Sequence, residues 1–544
     1  VSSKSLALAL LLAGSLACNR PIVSGRIAVL RFENLTPDAS LDWMGRAASA
    51  IVSSEISAPG PAEGSEGATI LVLGQLTRTG NRLTLDITKR DAIRQRNTES
   101  FSVSTADPNG LYALADAAAR RLSPRIVPFE TRDNQALAAW AQALEAPDAQ
   151  QAIAGYQRAV QADPGFASAW LAWSSAVAAQ GDRAEAERLL AEAQQHAASF
   201  TPTGLARLTR IVAEQNFNGR QFQQAALGYR KLVELEPAEA PAWNQLGYVL
   251  AYSGDYPGAL AALRSYQKLT APSDPNPLDS QGDVAFLTGR FSDAVQFYRQ
   301  SSAKNPSFES SGSMLKSAYA LLLAGDLPSA RKQFEAYAAA RQSAADPTLA
   351  FRKAEWLYLT GSRDAALAAM QALAANPNPQ LKSAALTQAA LWELQSGHRD
   401  RARQQSDAAI KTGAPSAITL IARFASENAT TPADWSARLD RLLAAPQLAP
   451  IKPTALAYAL YFAHLWQPAE PVWKRLAAQA PTDDALTGIF YARILVEQHR
   501  PLEAEPFVRF FPIPRATGIQ EFYTLAVPEI LNLRAAVNSA QGKK

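Results

Sequence analysis

Asp279 and Asp283 stand four apart, the spacing that puts two carboxylates on one face of a helix. Such a pair could serve as general acid and base or hold a cation, although like-charged neighbours on a solvated helix are the commoner case. The chain has four histidines, His196, His398, His464 and His499, no two of them close in sequence, and one cysteine, Cys18. A lone thiol can neither close an internal disulfide nor build a thiolate zinc site. Scattered imidazoles leave little material for a metal hydrolase or a nucleophilic triad. His398 and His499 fall near turns between helices, where a surface or capping role outweighs metal binding. Asp483 and Asp484 open a helical stretch, where carboxylates satisfy free amides and complement the dipole. The phosphate-binding G-x4-G-K-S/T loop, the dinucleotide glycine turn, H-E-x-x-H, G-x-S-x-G and the protein-kinase set are all missing. The residues read as those of a non-enzyme with no cofactor and no catalytic or metal site.

Composition narrows the class further. Across 544 residues, 53 basic and 49 acidic side chains leave +4, and 48% of the chain is hydrophobic. Wholesale disorder is excluded by the apolar content. The basic residues are interleaved with acids and form no stripe, so no nucleic-acid track is expected. No small-molecule substrate is evident.

Lys4 precedes an apolar run from Ser5 to Ala17, with small residues before Cys18. As a helix this run reaches about 20 Å, short of the roughly 30 Å hydrocarbon core, so it reads as an export signal over 1–17. The only cysteine standing where the signal ends resembles a bacterial lipoprotein signal, which implies lipid attachment at Cys18. Ser15 and Ala17 also suit ordinary signal peptidase, which would release a soluble periplasmic protein, and an unprocessed helix is a third possibility. Asn19 is not the aspartate that favours inner-membrane retention. The resemblance therefore implies an outer-membrane lipoprotein facing the periplasm.

Residues 22–128 read as a small β-α-β-β-β-α unit. Arg26–Phe32 is strand-like, 44–56 helical, 69–77, 82–89 and 98–105 strand-like, and 109–122 helical. Thr79-Gly80-Asn81 makes a hairpin, and Leu83, Leu85 and Ile87 alternate with Thr84, Asp86 and Thr88 to give one wet face. Ile27-Ala-Val-Leu-Arg-Phe-Glu-Asn-Leu-Thr-Pro-Asp38, then Leu41-Asp-Trp-Met-Gly45, and the hairpin Val72–Leu85 resemble the TolB amino-terminal-like domain. That domain implies protein interaction rather than a reaction. Arg31 stands where the family has proline.

From 133 onward the chain is periodic. Gly219, Gly254, Gly289, Gly325, Gly361 and Gly397 are separated by 35, 35, 36, 36 and 36 residues, and Gly181 precedes them by 38. A period near 35 between amphipathic segments marks a helix-turn-helix solenoid, each glycine supplying a left-handed helix end. Alanines follow five residues later at 186, 259, 294, 330, 366 and 402. Trp243, Leu246, Gly247, Gly254 and Ala259 match the tetratricopeptide pattern, so the segment resembles that family. The expected architecture is mainly α: a tetratricopeptide solenoid over 133–425, degenerate pairs and a cap over 426–535, and a tail over 536–544. About ten pairs are expected, the outer ones degenerate as capping units are.

The resemblance implies a concave groove lined by the first helix of each pair. Mapped onto this chain, it contains Asn244, Tyr248, Asp279, Asp283, Phe286, Leu315, Tyr319, Phe351, Glu355 and Tyr358. Aromatics mixed with acids suit an extended peptide with apolar and basic side chains. Chaperone-binding relatives clamp a terminal carboxylate with Lys and Asn at the fifth and ninth positions. Here those positions hold Asn244/Tyr248, Asp279/Asp283, Leu315/Tyr319 and Phe351/Glu355, which argues against a clamp. The function expected is a non-enzymatic envelope scaffold for protein or peptide partners. The alternative is an accessory or regulatory subunit of a peptidoglycan or glycan enzyme complex.

Overall fold

The computed structural model describes residues 27–57, 68–107, 109–429, 431–482 and 484–542. The expected export signal over 1–17, Cys18 and Asp483 lie outside them. Two compact units divide between Ile211 and Val212.

The first unit opens with a mixed sheet. Its strands are β1 (Ile27–Val29), β2 (Glu33–Asn34), β3 (Ile70–Thr79), β4 (Arg82–Asp91) and β5 (Arg96–Thr105), ordered β1-β3-β4-β5 with β2 also on β3. β1 and β2 run parallel to β3, and the β3-β4 and β4-β5 pairs are antiparallel. The first strand is thus split where a single run was expected. Between the halves Phe32 is fully buried, its ring over Gly74, where any Cβ would come within 2.4 Å of it. Helices α1 (Asp42–Glu55) and α2 (Leu111–Leu122) cover the face formed by Val72, Leu76, Leu83, Leu85 and Ile87, and bury Ala48, Ile51, Leu114 and Ala118 against it. The period-2 alternation of β4 accounts for this one-sided cover.

Helix pairs follow: α3 (Asn134–Leu144) with α4 (Ala149–Ala162), and α5 (Ala167–Ala179) with α6 (Arg183–Gln195). Helix α7 (Pro202–Asn218) spans the boundary between units and precedes α8 (Phe222–Leu235). The second unit continues with α9 (Ala240–Ser253), α10 (Tyr256–Leu269), α11 (Asn276–Leu287), α12 (Phe291–Lys304), α13 (Gly312–Leu323) and α14 (Leu327–Ser343). Then come α15 (Leu349–Leu359), α16 (Arg363–Leu373), α17 (Pro379–Gln395), α18 (Arg399–Ile410), α19 (Ala417–Ala425) and α20 (Pro432–Leu442). The last are α21 (Lys452–Phe462), α22 (Trp466–Gln479), α23 (Ala485–Glu497), α24 (Pro501–Val508) and α25 (Tyr523–Ala540). Among the described residues the chain is mainly α: twenty-three helices, most of them in stacked pairs, follow the small sheet and its two helices. Helix α25 runs past the boundary drawn at 535.

The turns within pairs share one device. Gly254, Gly289, Gly325, Gly361 and Gly397 have positive φ, and the next amide donates five residues back, as Asp255 N does to Leu250 O at 2.8 Å. Gly219 departs from the expectation. The left-handed residue there is Arg220, at φ 59, with Gln221 N closing on Asn216 O at 2.7 Å. In the last pairs His464 and His499 take the same conformation, at φ 55 and 62, and Leu465 N and Arg500 N close in the same way. Helix starts carry aspartate caps: the side chains of Asp255, Asp326 and Asp484 each accept an amide from the first turn.

Candidate interaction face

The ten groove positions lie on α9, α11, α13 and α15, all in the second unit. Asn244 and Tyr248 on α9 are partly exposed, and the other eight are buried.

Asp279 and Asp283 do share one face of α11, but both are largely buried, at 3% and 9% exposure. Lys316, one turn into α13, places its Nζ 2.6 Å from Asp279 Oδ2 and 2.9 Å from Asp283 Oδ1. Ser313 donates to Asp279 at 2.6 Å, and Tyr298 and Tyr248 donate to Asp283 at 2.8 and 3.0 Å. Glu309 lies 3.8 Å from the same ammonium. Burial raises Asp283 above the usual carboxylate range against the pull of Lys316. Burial works against the Lys316 charge, but the surrounding carboxylates overcome it and hold the ammonium protonated. The pair expected to be solvated is therefore a buried ion cluster, with its lone pairs committed to protein donors.

Further along the array the first helices meet the chain's own irregular segment between α24 and α25. Phe511 N donates to Leu287 O at 3.0 Å, at the end of α11, and its ring packs edge-on to Phe291 at 4.9 Å. Phe291 in turn packs on Phe286 at 5.6 Å. Phe510 sits against Tyr252 of α9 at 4.8 Å. On α15, Arg352 donates from Nη1 to Glu355 at 2.9 Å, and from Nη2 to the carbonyls of Arg515, at 2.9 Å, and Gly518. Burial pushes Glu355 up to about 7, with Arg352 opposing and Glu521 adding to the rise. Tyr319 packs between Trp356 and Tyr523, at 5.8 and 5.6 Å. Tyr358 stacks on Trp392 at 4.3 Å, whose indole donates to Thr524 at 2.9 Å. Leu315 and Phe351 complete the same core.

The inner face of α11–α17 is thus closed by residues 509–524. That segment falls within the stretch expected to form degenerate pairs and a cap, 426–535, and nothing in the repeat spacing points to the contact it makes. What marks it is Arg509-Phe-Phe-Pro-Ile-Pro-Arg515, whose rings lack helical spacing and whose prolines cannot continue a helix.

Elsewhere, His398 pairs with Glu393 at 2.7 Å, and His196 stacks on Trp170. Among the described residues no group of three His, Cys, Asp or Glu side chains is placed to hold a metal ion, and no helix is long and apolar enough to cross a membrane.

No family model matches the chain. No curated protein matches it either. Among solved structures it is similar to Naa15/Naa10 bound to HypK-THB, at 13% identity over 80% of this chain and 71% of that one, with a TM-score of 0.30. It is also similar to yeast Tom70, at 12% identity over 80% of this chain and 92% of that one, again with a TM-score of 0.30. Likeness at that level carries no argument, and the architecture rests on the helix pairs themselves.

Proposed function

We propose that this chain is a non-enzymatic scaffold of the bacterial cell envelope, tethered through lipid on Cys18, whose tetratricopeptide-type array holds an extended segment of a partner protein. One observation carries the binding half of this reading. Residues 509–522, which include no helix or strand, lie along successive first helices and are held through backbone carbonyls and ring contacts. A surface that seats an irregular stretch of its own chain has the means to seat a foreign one. The face still open to it is the α9 end, where Asn244 and Tyr248 keep partial exposure. The partner chemistry that suits it is an extended peptide with apolar and basic side chains. The envelope half is supported by the apolar run before Cys18 and the TolB-like opening residues.

Photo-crosslinking in living cells from positions 244 and 248, with matched probes at Arg264 and Lys268 on the exposed side of α10, tests the binding half. The expected result is one recurring protein adduct from the first pair alone. Equal adducts from both pairs, or none, overturn it. Fractionation of a Cys18→Ser chain tests the anchor: the wild type is expected with membranes and the variant in the soluble fraction. Identical distributions overturn that half.

A further inference from the structure

The register of the sheet gives the first unit two distinct ends. Ile27 pairs with Ile70 and Ile70 with Asp91, so the entry to β1 and the β4–β5 turn lie at one end. The helix pairs are attached at the other. Asn134 of α3 donates to the carbonyl of Asn109, past the far end of β5, and Arg31, past β1, pairs with Glu145 at 2.6 Å. Residues 93–100 are all exposed, so the β4–β5 end stands clear of α1 and α2. At its tip Ile93 is 78% exposed, more than any other large hydrophobic side chain among the described residues.

Basic residues flank Ile93 in the sequence. Arg94 and Arg96 are exposed, with Lys89 and Arg90 behind them. Both acids at this end are engaged. Asp91 accepts the amides of Ile93 and Arg94 at 2.9 and 2.8 Å and lies 3.7 Å from the Arg94 guanidinium, and Glu99 takes Lys89 at 3.1 Å, so four basic residues against two acids leave the tip cationic. An exposed aliphatic side chain flanked by basic residues suits the boundary of a bilayer, with the apolar part at the acyl edge and the cations among lipid phosphates.

We propose that the β4–β5 tip docks on an anionic phospholipid surface. The proposal goes beyond the scaffold reading and uses the lipid anchor in one respect only. The nine residues from Cys18 to Arg26 reach at most about 30 Å, so an acyl chain there would hold the tip against the membrane. A single acyl chain binds marginally and is made stable by a second, basic element.

The test uses the whole chain with Cys18→Ser, which leaves it free of thiols. An environment-sensitive fluorophore is attached at Ile93→Cys or, as a control, at Asn81→Cys in the β3–β4 turn at the opposite end. That turn carries Arg78 and Arg82 and so controls for charge alone. With vesicles of phosphatidylcholine and phosphatidylglycerol, the probe at 93 is expected to brighten and shift to the blue, and the probe at 81 to stay unchanged. Molar salt should abolish the response. Arg94→Gln with Arg96→Gln should weaken vesicle affinity roughly thirtyfold, at about a factor of five per basic residue. An unchanged probe at 93, equal responses at 93 and 81, or equal responses to pure phosphatidylcholine vesicles would overturn the proposal. The envelope reading fails separately, by absence of acyl chain on Cys18 in cells, whatever the vesicles show.

Discussion

Lys316 is the side chain on which the buried cluster depends. It is 6% exposed and sits between two carboxylates that are themselves largely buried. Replacing it with methionine keeps the packing but strands Asp279 and Asp283 as uncompensated charges. Breaking a buried pair from one side costs about 3–5 kcal/mol. Denaturant unfolding of Lys316→Met should show a loss of that order, whereas Asp279→Asn and Asp283→Asn added to it should restore much of the stability. A cost no larger than that of a surface substitution would mean that water reaches the cluster. Glu355 makes a prediction about pH. Its carboxyl is held up at about 7 in the folded chain, against 4.5 as the ordinary value. The folded state therefore keeps a proton that the unfolded chain releases, and the resulting stabilisation is complete below about pH 4.5 and lost as pH rises to about 7. The shift corresponds to about 3 kcal/mol at most. Burial also raises Glu309 and Glu521, which adds to the same slope. Melting temperatures should fall across this window in the wild type. In Glu355→Gln, which still accepts from Arg352, the fall should be smaller, and an unchanged slope would sink the assignment.

At the scale of the element, the glycine period made most of the helix pairs legible, for a physical reason. A left-handed residue ends each first helix, and glycine meets that demand at no steric cost. The period faltered where other residues met it, at Arg220, His464 and His499. A second regularity continues through those gaps. The residue five places beyond each left-handed position is a fully buried alanine, at Ala259, Ala294, Ala330, Ala366 and Ala402, and also at Ala225, Ala469 and Ala504. Close approach of the paired helices requires a small side chain there whichever residue forms the turn, so the alanine is the steadier marker. Two glycines separate these causes. Gly325 has φ 83 and open space around it, so Gly325→Ala should cost only the backbone strain, about 1–2 kcal/mol. Gly282 is helical, but a Cβ there would lie 2.5 Å from the ring of Tyr298, which cannot swing away while its hydroxyl is held by Asp283. Gly282→Ala should cost about 1–3 kcal/mol through overpacking. Adding Tyr298→Leu should relieve the second loss and leave the first untouched, as read from denaturant midpoints of the four chains.

In the second unit as a whole, helix pairs could be read from local spacing, but the closing of their inner face could not. Phe511 meets Leu287, Arg515 meets Arg352 and Thr524 meets Trp392 across more than a hundred residues of sequence, and no local pattern encodes such a meeting. The place of the ten groove positions in the repeat puts them on α9, α11, α13 and α15. That place says nothing about what lies over them. If residues 509–522 are seated as a permanent part of the core, their amides should exchange like those of an element although they belong to none. Phe511 N, bonded to Leu287 O, should be protected to nearly the extent of the α11 amides. The amide of Thr517, exposed and without such a bond, should exchange freely. Arg352→Met removes the donor to two carbonyls of the segment and leaves Glu355 buried without its partner, so it should speed exchange at Phe511 more than at α9. Hydrogen exchange resolved by residue decides the matter. Protection at Phe511 makes the face of α11–α17 an internal surface and confines any partner to the α9 end. Exchange as fast there as at Thr517 would mean that the segment leaves readily. Phe286, Leu315, Tyr319 and Phe351 would then become positions that an incoming peptide can reach.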